Sequence, residues 1–87
     1  MFNTTLTLTY SQRVALMLAL ASEAERYARE TVRAVSVGDL AYARMRLDNI
    51  RDTDAIGAAL DVHTIEQAPW MVDGYADARR TVLRVSS

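Results

Sequence analysis

Tyr10, Val14, Met17, Ala21, Ala24, Ala28, Thr31 and Val35 recur at alternating intervals of four and three. That spacing marks one face of an α-helix, and no proline or glycine interrupts it. A helix over residues 10–37 is a rod of about 40 Å at ~1.5 Å per residue. A compact chain of 87 residues has a radius of gyration of only about 12 Å. The rod must therefore be paired along its length, and one short further element cannot cover it. Leu16, Leu18, Leu20, Tyr27 and Val32 widen the apolar face. The expectation is self-association, most simply a two-fold dimer forming a helical bundle, with Leu6, Leu8, Tyr10, Leu16, Leu18 and Leu20 as the contact residues.

The rest of the chain divides around this helix. Thr9 with Gln12, which have the spacing of a capping box, or Ser11 one turn in, supplies the N-cap, so the helix starts at about residue 10, where the alternation ends. Gly38 ends it and Asp39 caps a second helix over residues 39–61, carrying Leu40, Ala43, Leu47, Ile50, Ile56 and Leu60. So short a turn makes the two helices antiparallel. Leu47 then lies near Ala28, Ile50 opposite Ala24 and Gly57 opposite Met17, large residues against small ones. Asp52 or Thr53 in "RDTDA" can interrupt the second helix by capping a fresh turn. Residues 62–72 are the least regular, with a second capping pair at Thr64 and Gln67. Pro69 is expected to push Ala68 out of helical geometry. Asp73–Gly74 suits either a hairpin turn or a helix capped by Asp73. Met71, Tyr75, Ala78, Val82 and Val85 favour a third helix over residues 74–83, although "TVLRV" is rich in β-branched residues and also suits a strand.

Before the first helix, "TTLTLTY" alternates hydroxyl and apolar residues, the period of a strand over residues 4–9. Its edge needs a partner, its twin in a dimer, which is favoured, or residues 81–85; the third reading is an unpaired, disordered leader. The fold class is thus mainly α, in a single domain over residues 1–87. It is a long antiparallel helical hairpin with a short third helix and an N-terminal strand, in an oligomeric bundle.

Composition narrows the function classes. Apolar residues make up 51% of the chain, enough for a packed core. There is no cysteine, hence no disulfide and no thiolate metal site. The longest apolar run, residues 14–21, is far below the ~20 residues that span a bilayer. The first residues lack the basic character of a signal peptide, so no membrane and a cytoplasmic setting are expected. All ten basic residues are arginine, which reflects either a high-GC genome or a use for planar guanidinium groups. Six acids and six arginines balance over residues 23–52, whereas residues 53–78 hold five acids and no arginine. Arg79, Arg80 and Arg84 then follow with no acid. A nucleic-acid binder shows a basic stripe; the acidic stretch weighs against nucleic acid and for a basic partner.

No constellation carries catalysis. His63 is the sole histidine and lacks the ligands or oriented nucleophile that a metal site or dyad needs. Asp48, Asp52 and Asp54 lie beside Arg44 and Arg51, so ion pairing is expected there. Three scattered glycines form no phosphate-binding loop. No enzyme activity, metal or cofactor is expected. Trp70 stands in "QAPWMVDGY", and aromatic and methionine side chains are enriched in interface cores. With Met71, Tyr75, Asp73 and Glu66 it forms the candidate partner surface; the structural alternative is that Trp70 folds back over the hairpin's open end. Arg79, Arg80 and Arg84 are candidate anion ligands.

"TLTLTYSQRVALMLALA" resembles the opening of ribbon-helix-helix repressors. That resemblance implies strands paired across a dimer, with Thr5, Thr7 and Thr9 toward DNA, Leu6, Leu8 and Tyr10 toward the core, and Arg13 and the C-terminal arginines on phosphates. It covers seventeen residues; the first helix is too long for that family and the strand carries no basic residue. "GDLAYARMRL" resembles a helix of tetratricopeptide-type repeats, without a second copy. Neither is taken as membership. The leading expectation is a non-enzymatic protein-interaction module, an accessory, adaptor or inhibitor of the kind that phages and high-GC bacteria encode. The alternatives are a ribbon-helix-helix-like DNA-binding regulator and an oligomeric binder of an anionic small ligand such as a nucleotide.

Overall fold

The computed structural model describes residues 7–61 and 67–86 and is mainly helical. α1 spans Tyr10–Ser36, α2 Leu40–Ala59 and α3 Tyr75–Ser86, with a 3-10 turn at Pro69–Met71 between α2 and α3. Among the described residues there is no strand. Residues 4–6 of the expected strand, Leu6 included, lie outside them, as do His63, Thr64 and Glu66.

The ends of α1 follow from local chemistry. Thr9 Oγ1 accepts from the Gln12 amide at 3.1 Å, and Gln12 Oε1 accepts from the Thr9 amide at 2.9 Å. Two amides left open by the first turn are thereby satisfied. At the other end Gly38 takes φ +78°, the left-handed conformation that costs other residues about 1–2 kcal/mol. Its amide bonds Val35 O at 3.0 Å and the Asp39 amide bonds Ala34 O at 2.8 Å, the paired bonds of a Schellman stop. Asp39 then turns starter: its carboxylate accepts from the Tyr42 amide at 3.1 Å. One residue closes α1 and opens α2.

α1 and α2 run antiparallel. Ala28 and Ile50 share one buried cluster, and Ala34 and Ala43 another, with Leu47 packed against both. Ala24, Ala28 and Ala43 are fully buried, so small side chains set a close helix approach. Two hydroxyls are buried with them because each bonds the preceding turn: Thr31 Oγ1 donates to Tyr27 O, and Thr53 Oγ1 to Asn49 O, both at 2.8 Å. That bond explains why "RDTDA" does not interrupt α2. Thr53 back-bonds within the helix instead of capping a new turn.

Two expectations for the C-terminal third are corrected, and of the two readings of "TVLRV" the favoured one, a helix, stands. Ala68 stays helical, at φ −59° and ψ −43°, because Pro69 opens a turn whose first amide needs no acceptor. Asp73–Gly74 is neither a hairpin turn nor an aspartate cap. Gly74 takes φ +81° in a tight turn closed by the Tyr75 amide on Val72 O at 3.1 Å. "TVLRV" is helix, since Tyr75, Ala78 and Val82 bury one face of α3 and Thr81 Oγ1 bonds Asp77 O at 3.0 Å. Residues 81–85 therefore offer no edge to the N-terminal segment.

α3 covers only half of the hairpin. Tyr75 joins the Ala28–Ile50 cluster and Val82 the Ala34–Ala43 cluster, so α3 descends toward the α1–α2 turn. In the open half no described residue of α1 before Ala24 is buried. Tyr10, Leu18 and Ile56 are 83%, 61% and 50% exposed. The open end is tied by Arg13, whose Nη1 donates to the carbonyls of Leu60 at 3.3 Å and Asp61 at 3.0 Å. A cation there also complements the dipole at the C-terminus of α2. The radius of gyration is 14.3 Å, above the ~12 Å of a compact chain this long. Extents of 43 × 29 × 14 Å make the molecule a thin slab.

Candidate functional site

Two helical stripes form a partly enclosed recess. On α2, Arg44, Leu47, Arg51 and Asp54 follow one another at three- and four-residue steps; on α3, Tyr75, Arg79 and Leu83 are spaced by four. α3 leans on α1 more than on α2. The stripes therefore stand apart, and a cleft of about 270 Å³ opens between them. Leu47, Ile50 and Leu83 supply apolar walls, and Pro69 and Trp70 line the same recess.

Trp70 is held in place although 54% exposed. Its ring meets Tyr75 edge to face, centroids 5.3 Å apart and planes at 81°. The Arg79 guanidinium lies 5.7 Å from its ring centroid. Pro69, fully buried, anchors the turn from behind. Tyr75 is 3% exposed; burial raises its phenol pKa above the ordinary value, Arg79 opposes that rise, and Asp54 adds to it. Among the described residues, three guanidinium groups line the cleft against one carboxylate, Asp54. Arg44 shares its charge with Asp48 at 3.5 Å. Arg51 is exposed and makes no ion pair or hydrogen bond among the described residues.

The surroundings of Trp70 are thus cationic, not acidic as its sequence neighbours suggest. Met71, 81% exposed, and Asp73 belong to a separate shallow depression with Arg29, Val32 and Val72 on the α1 side. The consecutive residues Trp70 and Met71 serve different flanks, and Glu66 lies outside the described residues. Trp70 does not fold over the open end of the hairpin, since its cleft partners are midway along α2.

The three C-terminal arginines do not converge. Arg79 joins the cleft, Arg80 is tied to Asp77 within α3, and Arg84 is exposed further along that helix. Of the self-association candidates, Leu8, Leu16 and Leu20 are half-buried, while Tyr10 and Leu18 are exposed. Arg13 is engaged with the end of α2 and with Asp61 Oδ2 at 3.6 Å, which takes it away from the role that the repressor resemblance implies. Among the described residues no group of three histidine, aspartate or glutamate side chains could hold a metal ion. No described helix is long and apolar enough to cross a membrane.

A second polar cluster lies across the hairpin. Arg46 stacks on Tyr42 at 4.8 Å and Tyr27 at 5.3 Å. Its Nε pairs with Glu30 Oε1 at 2.7 Å and its Nη1 donates to Asn49 Oδ1 at 2.9 Å. Glu30 also meets Arg26, at 3.5 Å. With its donors already engaged, Arg46 works as a brace between α1 and α2. Neither this brace nor the pairing of Arg44 and Arg51 with Arg79 has a local sequence signal. Each joins residues far apart in the chain whose spacing is ordinary for a helix. No protein-family model, curated protein or solved structure matches the chain.

Proposed function

We propose that this protein is a non-enzymatic protein-interaction module that docks a partner at Trp70. The observation behind this reading is a tryptophan that remains half exposed while its position is fixed by Tyr75, Arg79 and buried Pro69. A large aromatic surface held rigid before binding loses little conformational freedom on association. Tryptophan and arginine side by side are also the residue types that dominate interface energetics. The adjacent cleft gives that surface shape, and Met71 extends it onto the α1 flank.

Capture from the source cells tests the reading, with the wild-type chain, Trp70→Ala and Met71→Ser as baits. A partner held by the wild type should be lost or much weakened on Trp70→Ala while that variant keeps its helical circular dichroism. Undiminished retention on a folded Trp70→Ala chain rejects Trp70 as the docking residue.

Self-association belongs to the same proposal, through the half of the hairpin that α3 does not reach. Residues 14–22 of α1 contain no charge, and Leu18 and Ile56 are exposed there. A stretch of helix apolar on most sides calls for a cover, and a second hairpin would supply the missing layer. Light scattering after size exclusion should give twice the chain mass, falling to one chain in Leu18→Glu. A wild-type monomer at high concentration removes the dimer.

A further inference from the structure

We infer that the cleft beside Trp70 takes an acidic segment of a protein, a carboxylate side chain next to a bulky apolar one. This rests on the docking reading above and specifies the chemistry of the partner. Charge complementarity carries it: Arg44, Arg51 and Arg79 face the recess from both walls, and among the described residues the one carboxylate lining it is that of Asp54. Arg51 makes no hydrogen bond or ion pair among the described residues, nor does Arg79, which lies over the Trp70 ring, and a planar guanidinium fork matches a carboxylate. Below the charged rim, Leu47 and Leu83 offer apolar surface and Trp70 a ring face.

Size favours a peptide over a nucleotide. The cleft holds about 270 Å³, just under the ~300–1,000 Å³ of sites that enclose a whole small molecule. One or two side chains fill it, with the rest of the segment running along the groove between α2 and α3. A nucleotide would be enclosed only in part. The acidic character of the surrounding sequence hides this preference, because Asp73 belongs to the other flank and Asp77 is tied to Arg80.

Trp70 is the only tryptophan, so its fluorescence reads the cleft directly. The test titrates a synthetic peptide of glutamates around one phenylalanine, its twin with lysines in place of the glutamates, and ATP and inorganic phosphate. The glutamate peptide should shift the Trp70 emission saturably, and rising salt should weaken it as screening predicts. The lysine twin should have no effect. Arg51→Glu, at an exposed position, should keep the fold and weaken the glutamate peptide about tenfold, a rim-charge effect of ordinary size. Equal binding of the lysine twin overturns the inference. So does an Arg51→Glu chain that binds as well as wild type, or saturation by ATP or phosphate but not by peptide. Silence with both peptides up to millimolar concentration also counts against it. The docking reading fails separately: a captured partner that needs Trp70 but is indifferent to Arg51→Glu leaves docking standing and removes only the acidic segment.

Discussion

Trp70 and Tyr75 touch each other, yet their replacement by alanine should have very different consequences. A fully buried tryptophan hides up to ~250 Å² and a tyrosine ~200 Å². Trp70 is 54% exposed and so hides a little under half of its share, about 115 Å² by that scale. At ~25 cal/mol per Å² this is worth about 3 kcal/mol. Tyr75 is 3% exposed, and its full share corresponds to about 5 kcal/mol on the same scale. A compact unfolded state lowers both figures without reversing their order. Folded chains hold about 0.05–0.15 kcal/mol per residue, so Trp70→Ala should remain folded, and Tyr75→Ala should be close to unfolding or beyond it. Urea unfolding followed by far-ultraviolet circular dichroism gives both losses without relying on the tryptophan signal. A loss in Trp70→Ala equal to or greater than that in Tyr75→Ala would place Trp70 in the core and refute its assignment to a surface held for binding.

Three further outcomes follow from the packing. Ala28→Leu forces a large side chain between α1 and α2, where Ala28 is fully buried, and should cost ~1–3 kcal/mol in urea unfolding; a neutral result would mean that the helices are not closely packed there. Arg46→Ala removes the Glu30 pair and two ring contacts from a side chain 21% exposed and should lower stability by about 2 kcal/mol, a loss that Arg46→Lys restores only in part. Burial raises the Tyr75 pKa above the ordinary value of 10.0, so its contribution is complete below that pH and is lost as pH rises through the folded value; unfolding followed up to strongly alkaline pH should show this decline, and Tyr75→Phe should lack it.

Much of the fold was legible because short-range chemistry fixed it. Thr9 with Gln12, and Gly38 with Asp39, set three helix ends through contacts within a few residues. The tight turn also brought Leu47 against the cluster of Ala28, as its register required, whereas Ile50 shares that cluster and Ala34 meets Ala43 in pairings the register had not singled out. The helical spacing of Tyr75, Ala78 and Val82 outweighed the β-branched character of "TVLRV" in favouring a third helix, and Val82 is buried with Ala34 and Ala43. Charge misled at Trp70. Neighbours in sequence fall on opposite flanks of a 3-10 turn, while Arg44, Arg51 and Arg79 reach the cleft from two other elements. Which residues face one another across α2 and α3 depends on how far α3 leans toward α1, and no local pattern encodes that.

The most direct test is the affinity of a captured partner for three chains, the wild type, Trp70→Ala and Leu18→Glu, measured by calorimetric titration. A central docking residue contributes at least ~2 kcal/mol, about thirtyfold in affinity. Trp70→Ala should therefore bind at least that much more weakly, and Leu18→Glu, altered on the far half of the hairpin, should bind within a factor of two or so of the wild type. Wild-type affinity in Trp70→Ala, or a loss confined to Leu18→Glu, would contradict the account and move the docking surface to the open end of the hairpin.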